Sequence, residues 1–79
     1  MVPTDEKIKK DITDELYWDY RVDASNVKVE VSDGEVTLTG TVRDHTARTA
    51  ANADAWGIAG VRQVTNLLTA RLPPDFVAP

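Results

Sequence analysis

Residues 27–42 read VKVEVSDGEVTLTGTV, and this stretch restricts the fold more tightly than any other. Val27, Val29 and Val31 alternate with Lys28, Glu30 and Ser32. After Asp33 and Gly34, Val36, Leu38, Gly40 and Val42 alternate with Glu35, Thr37, Thr39 and Thr41. Period-two alternation on both sides of Asp-Gly specifies a β-hairpin with one apolar face. A two-residue loop sets Val31 opposite Val36, Val29 opposite Leu38 and Val27 opposite Gly40, so the apolar residues share one side. A register shifted by one would set valines against threonines, which a half-buried sheet disfavours.

Helical patterns flank the hairpin. Thr4 or Asp5 can cap a helix that begins near Glu6, with Asp5 and Glu6 at the positive end of its dipole. Ile8, Ile12, Leu16 and Tyr20 recur every four residues as one apolar stripe, with Glu6 and Lys10 as an i,i+4 ion pair. Tyr17 and Trp18 lie more than about 100° away from that stripe. Short polar residues in 21–26 end the helix, with Val22 tucked beneath the loop they form. Asp44 is the expected cap of a second helix that ends near Gly57 or shortly after it. Ala47, Ala51, Ala55 and Ile58 face inward on it, and Trp56 projects on the opposite side.

Gly60 breaks the helical pattern, and residues 61–72 form a third extended run. Val64, Asn66, Leu68, Ala70 and Leu72 fall on one side, and Leu67 faces the other way among Gln63, Thr65 and Thr69. Asn66 is read as a structural amide, because buried polar groups find hydrogen-bond partners. Gly34 serves the positive φ of the turn, and Gly40 is where a helix can approach the strand closely. Pro73 and Pro74 stop the last strand.

The expected architecture is α+β: a two-layer αββαβ sandwich in which two helices cover one face of a three-stranded mixed sheet. The preferred strand order is 1-2-3, with the third strand parallel to the second through a right-handed crossover. The all-antiparallel order 2-1-3 is the alternative. The whole chain is one domain, with a folded core over about residues 5–72 and a proline-containing tail over 73–79.

The ordered combination of these features resembles the BON domain of bacterial osmotic-stress and nodulation proteins, secretins, channels and envelope lipoproteins. It is carried by the acidic first helix with Ile8, Ile12 and Leu16, the hairpin, the alanine-rich helix, and GVRQVTNLL with Gly60, Val61, Val64 and Asn66. The resemblance covers about residues 5–70. It implies the same αββαβ fold, no catalysis, and a role in binding phospholipid or envelope partners in the periplasm or cell envelope. Tyr17, Trp18 and Trp56 are not positions that the family pattern demands.

Composition narrows the function further. A chain of 79 residues buries only about 60% of its unfolded surface, which leaves little room for an enclosed substrate cavity. With 9 Lys and Arg against 13 Asp and Glu, the net charge of -4 opposes nucleic-acid binding and bulk attraction to anionic lipid. The absence of cysteine excludes a disulfide framework and a thiolate metal site. The amino terminus lacks the basic and apolar regions of a secretory signal and no stretch has the length of a membrane span, so the chain taken as complete reads as soluble and cytoplasmic.

No catalytic, metal or cofactor-binding residues are expected. His45 has no serine partner, and Asp44, His45 and Asp54 do not have a recognised ligand spacing. The candidate contacts are Tyr17, Trp18 and Trp56, which fall off the core stripes, with Arg43 and Arg48 as a local basic grouping and Lys7 and Lys10 as another. Either these aromatics form a recognition patch, or Leu72, Phe76 and Val77 of the tail fold back over the tryptophans. The functional reading is a non-catalytic module that binds phospholipid, an envelope component or a protein. The alternative is an assembly unit, a weak homo-oligomer or a domain packed on a neighbour through its open sheet face or an edge strand.

Overall fold

The computed structural model describes residues 3–71. Its elements are α1 (Asp5–Trp18), a 3-10 turn (Ala24–Asn26), β1 (Val27–Ser32), β2 (Glu35–Val42), α2 (His45–Trp56), β3 (Gln63–Asn66) and β4 (Thr69–Ala70). Thr4 caps α1 by accepting the Lys7 N–H at 3.2 Å, and Asp44 caps α2 by accepting the Ala47 N–H at 2.9 Å. Each cap satisfies a backbone donor that the first helical turn leaves without a partner.

The hairpin register pairs Val31 with Val36, Val29 with Leu38 and Val27 with Gly40. Asp33 and Gly34 both have positive φ, 52° and 79°, as a type I′ turn requires. β3 runs parallel to β2 on its other side, giving the order β1-β2-β3. The expected continuous third strand is interrupted at Leu67 and Leu68. β4 resumes in the same register, with Thr69 beside Thr41 after Asn66 beside Leu38.

Both helices cover the valine face. Ile8, Ile12 and Leu16 of α1 meet Val29, Val36, Leu38 and Val42 of the hairpin, while Ala47, Ala50, Ala51 and Ala55 of α2 complete a core that also holds Val22 and Leu68. Burying each of the larger aliphatic side chains contributes about 1.5 to 3 kcal/mol. The alanines allow α2 to lie close to the sheet. Among the described residues every member of this core is aliphatic.

Three expectations are corrected. Tyr20 does not continue the α1 stripe, because the helix ends at Trp18 and Asp19 turns extended (φ -84°, ψ 107°) while its N–H still donates to Glu15 and Leu16 carbonyls. The Asp19 carboxylate then accepts the Arg21 backbone N–H at 2.9 Å, and Tyr20 between them is 91% exposed. The ion pairs on α1 are Lys7 with Asp11 (3.0 Å) and Lys10 with Asp14 (3.1 Å), and Lys10 is thus engaged one turn beyond Glu6. Gly40, at φ 115°, is approached by the Asn26 carbonyl and the start of β1, not by a helix. Gly60 (φ 94°) does meet a helix, since a Cβ there would press on the Ile8 side chain of α1 at 2.9 Å.

Candidate binding surface

The aromatic side chains are excluded from the core by the end of α1. Tyr17 and Trp18 occupy its last turn, off the Ile8–Ile12–Leu16 side, and are 74% and 78% exposed. Their rings meet edge to face, with centroids 5.3 Å apart. Tyr20 follows after the cap, so the C-terminal end of α1 carries three exposed aromatics within four residues. Trp56, at the end of α2, is half exposed, and among the described residues it joins no aromatic pair. The expectation that the tail covers the tryptophans concerns Leu72, Phe76 and Val77, which lie outside the described residues.

The basic candidates are occupied locally. Arg43 pairs with Asp44 at 3.4 Å. Arg48 on α2 donates from Nε to the Leu68 carbonyl at 2.9 Å and from Nη2 to the Asn66 carbonyl at 3.2 Å. Asn66 answers with Nδ2 donating to the Arg48 carbonyl at 3.0 Å, and its Oδ1 accepts the Leu68 N–H at 3.1 Å. Three of these bonds fasten α2 to the interruption between β3 and β4, and the fourth closes the interruption itself. The Arg48 guanidinium is therefore committed to backbone carbonyls inside the domain, and it is not grouped with Arg43 as a free basic patch. Lys7 and Lys10 are engaged by Asp11 and Asp14.

A partly buried polar junction joins the two helices. The Asp19 carboxylate, at the cap of α1, receives the Arg21 guanidinium through Nε at 2.9 Å and Nη2 at 2.8 Å, and the same Nη2 lies 3.8 Å from Asp54 on α2. Arg21 holds Asp19 far below the usual carboxylate range, with the adjoining Asp54 carboxyl acting in the same direction. Burial pushes Asp54 up to about 7, aided by the adjoining Asp19 carboxylate and by Glu15 and opposed by Arg21. Asp54 Oδ2 is buried and receives no hydrogen bond among the described residues. Asp19 and Arg21 are far from Asp54 in sequence, and no local motif announces the junction. The Asp-x-Arg spacing at 19–21 is the only hint.

Nothing in these positions forms a catalytic constellation. His45 borders a shallow depression of about 350 Å³ with Arg21, Thr46 and Thr49 on the outer side of α2. Ser25 is bonded to Asp23. Among the described residues no group of three or more His, Cys, Asp or Glu side chains converges as metal ligands, and no helix is long and apolar enough to cross a membrane.

The helix, hairpin, helix and parallel strand, with Gly60 closed against α1, match a known family model, the BON domain, over residues 4–71. The chain belongs to the BON-domain family. Among solved structures, this BON domain is similar to the C-terminal domain of CdsD, the structural protein of the Type III secretion system of Chlamydia trachomatis. The two are 27% identical with a TM-score of 0.73, over 92% of this chain and 36% of that one. The BON domain thus spans little more than a third of that structure. No curated protein sequence matches it. Family and fold together indicate a non-catalytic binding or structural module.

Proposed function

We propose that this BON domain is a docking module whose C-terminal end of α1, with Tyr17, Trp18 and Tyr20, engages a protein partner. One observation carries the reading: among the described residues the core is wholly aliphatic, while Tyr17, Trp18 and Tyr20 each leave most of their surface in water. Large aromatics supply contact area with few rotatable bonds, and adjacent exposed ones on a small domain favour recognition. A protein is favoured over anionic lipid because Arg43, Arg48, Lys7 and Lys10 already have partners and the net charge is -4. The likeness to a secretion-system structural protein supports placing that partner in a cell-envelope assembly.

A photo-crosslinking residue at position 18, compared with one at Thr39 on the helix-free face, tests this in cells. The expected result is a discrete protein adduct at position 18 that is absent at position 39 and lost when Tyr17 is replaced by alanine. Identical adducts at both positions would refute it, as would flotation of the purified domain with anionic or neutral vesicles through Trp18 in the absence of any adduct.

A further inference from the structure

Among the described residues the outer edge of β1 is unpaired, since β1 pairs with β2 alone and ends the sheet. In a hairpin with a two-residue loop the flanking pair, Ser32 and Glu35, is hydrogen-bonded, and bonding alternates along the ladder. Glu30 and Lys28 therefore bond to β2, and Val29 and Val31 turn their N–H and C=O groups outward. The Val27 carbonyl points the same way, while its N–H is taken by Ala24. A depression of about 230 Å³ follows this edge, bounded by Val27 and Val29 from one face of the strand, Lys28 from the other, and Leu16 and Lys9 of α1. A hollow lined from both faces of a strand lies at its edge, so α1 leaves that edge open to an added strand.

The sequence of β1 limits what can occupy it. Edge strands are ordinarily protected by a proline, a bulge or an uncompensated charge. β1 has neither proline nor bulge, and its two exposed charges, Lys28 and Glu30, sum to zero. The strand is also self-complementary about Val29. In an antiparallel pairing centred there, Lys28 of one copy faces Glu30 of the other, Val27 faces Val31, and both relations repeat across the two-fold axis.

We infer that the occupant of this edge is a second copy of the chain, joined β1 to β1 about Val29 in a symmetric dimer with one continuous sheet. The two Val29 residues exchange their outward N–H and C=O groups, and each Val31 N–H reaches the Val27 carbonyl of the second copy. The half-buried Val27 and Val31 cover one another on the helix side. Lys28 and Glu30 meet their opposites on the helix-free side, where cross-strand charge pairs set register and like charges oppose it. None of Tyr17, Trp18 and Tyr20 lines the depression along this edge, and the charge exchanges below leave all three unaltered, so the dimer and the docking reading are tested by separate variants.

Charge exchange tests it. Sedimentation velocity over a concentration series is run on the unaltered chain, K28E, E30K, the double exchange K28E/E30K, and an equimolar mixture of the two single variants. Both side chains are exposed, and circular dichroism verifies that every variant folds. The unaltered chain and the double exchange dimerise. Each single variant loses at least about tenfold in association, because both symmetry-related pairs become repulsive. The mixture recovers, since the two glutamates of the K28E strand then face the two lysines of the E30K strand. Amide exchange at Val29 and Val31 slows with concentration wherever a dimer forms. A chain that stays monomeric up to about 1 mM, a dimer indifferent to the exchanges, or single variants that do not recover on mixing each overturns the inference.

Discussion

The carboxylate of Asp5 accepts the backbone N–H of Gly34 at 3.1 Å, joining the first turn of α1 to the tip of the hairpin across 29 residues of sequence. Its other oxygen accepts the Asp33 N–H at 2.8 Å. The Gly34 carbonyl meanwhile accepts the Arg62 N–H at 2.8 Å, so the turn is held from α1 on one side and from the segment before β3 on the other. Thr4, not Asp5, caps the helix, which leaves the Asp5 carboxylate free for this tertiary role. Asp5→Ala leaves the part-buried Gly34 donor unmatched and is expected to cost about 1 to 3 kcal/mol in urea unfolding. Asp5→Asn, retaining one acceptor oxygen, costs less. Faster exchange of the Gly34 amide in Asp5→Ala attributes the loss to the turn, whereas unchanged exchange would place it elsewhere.

Gly40 and Gly57 should respond to alanine in opposite directions. At Gly40 the backbone is left-handed (φ 115°), and a Cβ would overlap the Asn26 carbonyl, a backbone atom that cannot rotate away. Gly40→Ala is expected to lose about 3 kcal/mol or more, through strain and displacement of the start of β1. Gly57 ends α2 with right-handed angles (φ -77°, ψ -6°), and a Cβ there meets only ordinary contacts at 3.6 Å. Gly57→Ala should gain up to about 1 kcal/mol by restricting the unfolded chain. Thermal melts of the two variants provide the comparison.

Arg48 and Asn66 should behave as one unit. Asn66→Ala removes the acceptor of the Leu68 N–H and the donor to the Arg48 carbonyl, and Arg48→Lys keeps the charge but loses the fork that reaches two carbonyls. Each change should destabilise by about 1 to 3 kcal/mol. A double-mutant cycle with alanine at both sites should return a coupling of about 0.5 kcal/mol or more. Strict additivity would mean that the two side chains hold α2 and the strand interruption separately.

The hairpin register is readable from the sequence because a period of two, an Asp-Gly turn and an apolar face all constrain the same residues. The stripe of α1 is readable only as far as Leu16. A spacing of four carries no information about where a helix stops, and the stop is set by Asp19, whose carboxylate draws Arg21 back and leaves Tyr20 in solvent. The same limit hides the fate of Arg48. As a sequence feature it is a charge near a helix start, and only the fold brings the Asn66 and Leu68 carbonyls to it. Exposed Tyr17 and Trp18 follow from their angle on the helix wheel, since a residue off the buried stripe of a two-layer domain has no second layer to enter.

The pair of Asp19 and Asp54 should impose an uncommon pH dependence on stability. Asp54 is raised from the ordinary value of 3.8 to about 7, so between those values the folded domain retains a proton that the unfolded chain has lost. Unfolding then releases a proton, and this group's contribution falls as pH rises from about 4 to 7, becoming level above about 8. Asp19 has the opposite sign: its lowered value means that its contribution is present above the ordinary carboxylate range and is lost as pH falls below it. Together they place the greatest stability of the junction near pH 4. Asp54→Asn removes the alkaline arm by substituting a neutral amide that can donate to Asp19. It should be more stable than the unaltered domain at pH 8, on the order of 1 to 2 kcal/mol after allowing for solvent screening, with the difference shrinking toward pH 4. Urea unfolding at unit pH intervals gives both curves. A difference that does not vary between pH 4 and 8 would show that Asp54 is ionised throughout, with Arg21 and not a shared proton keeping the two carboxylates together.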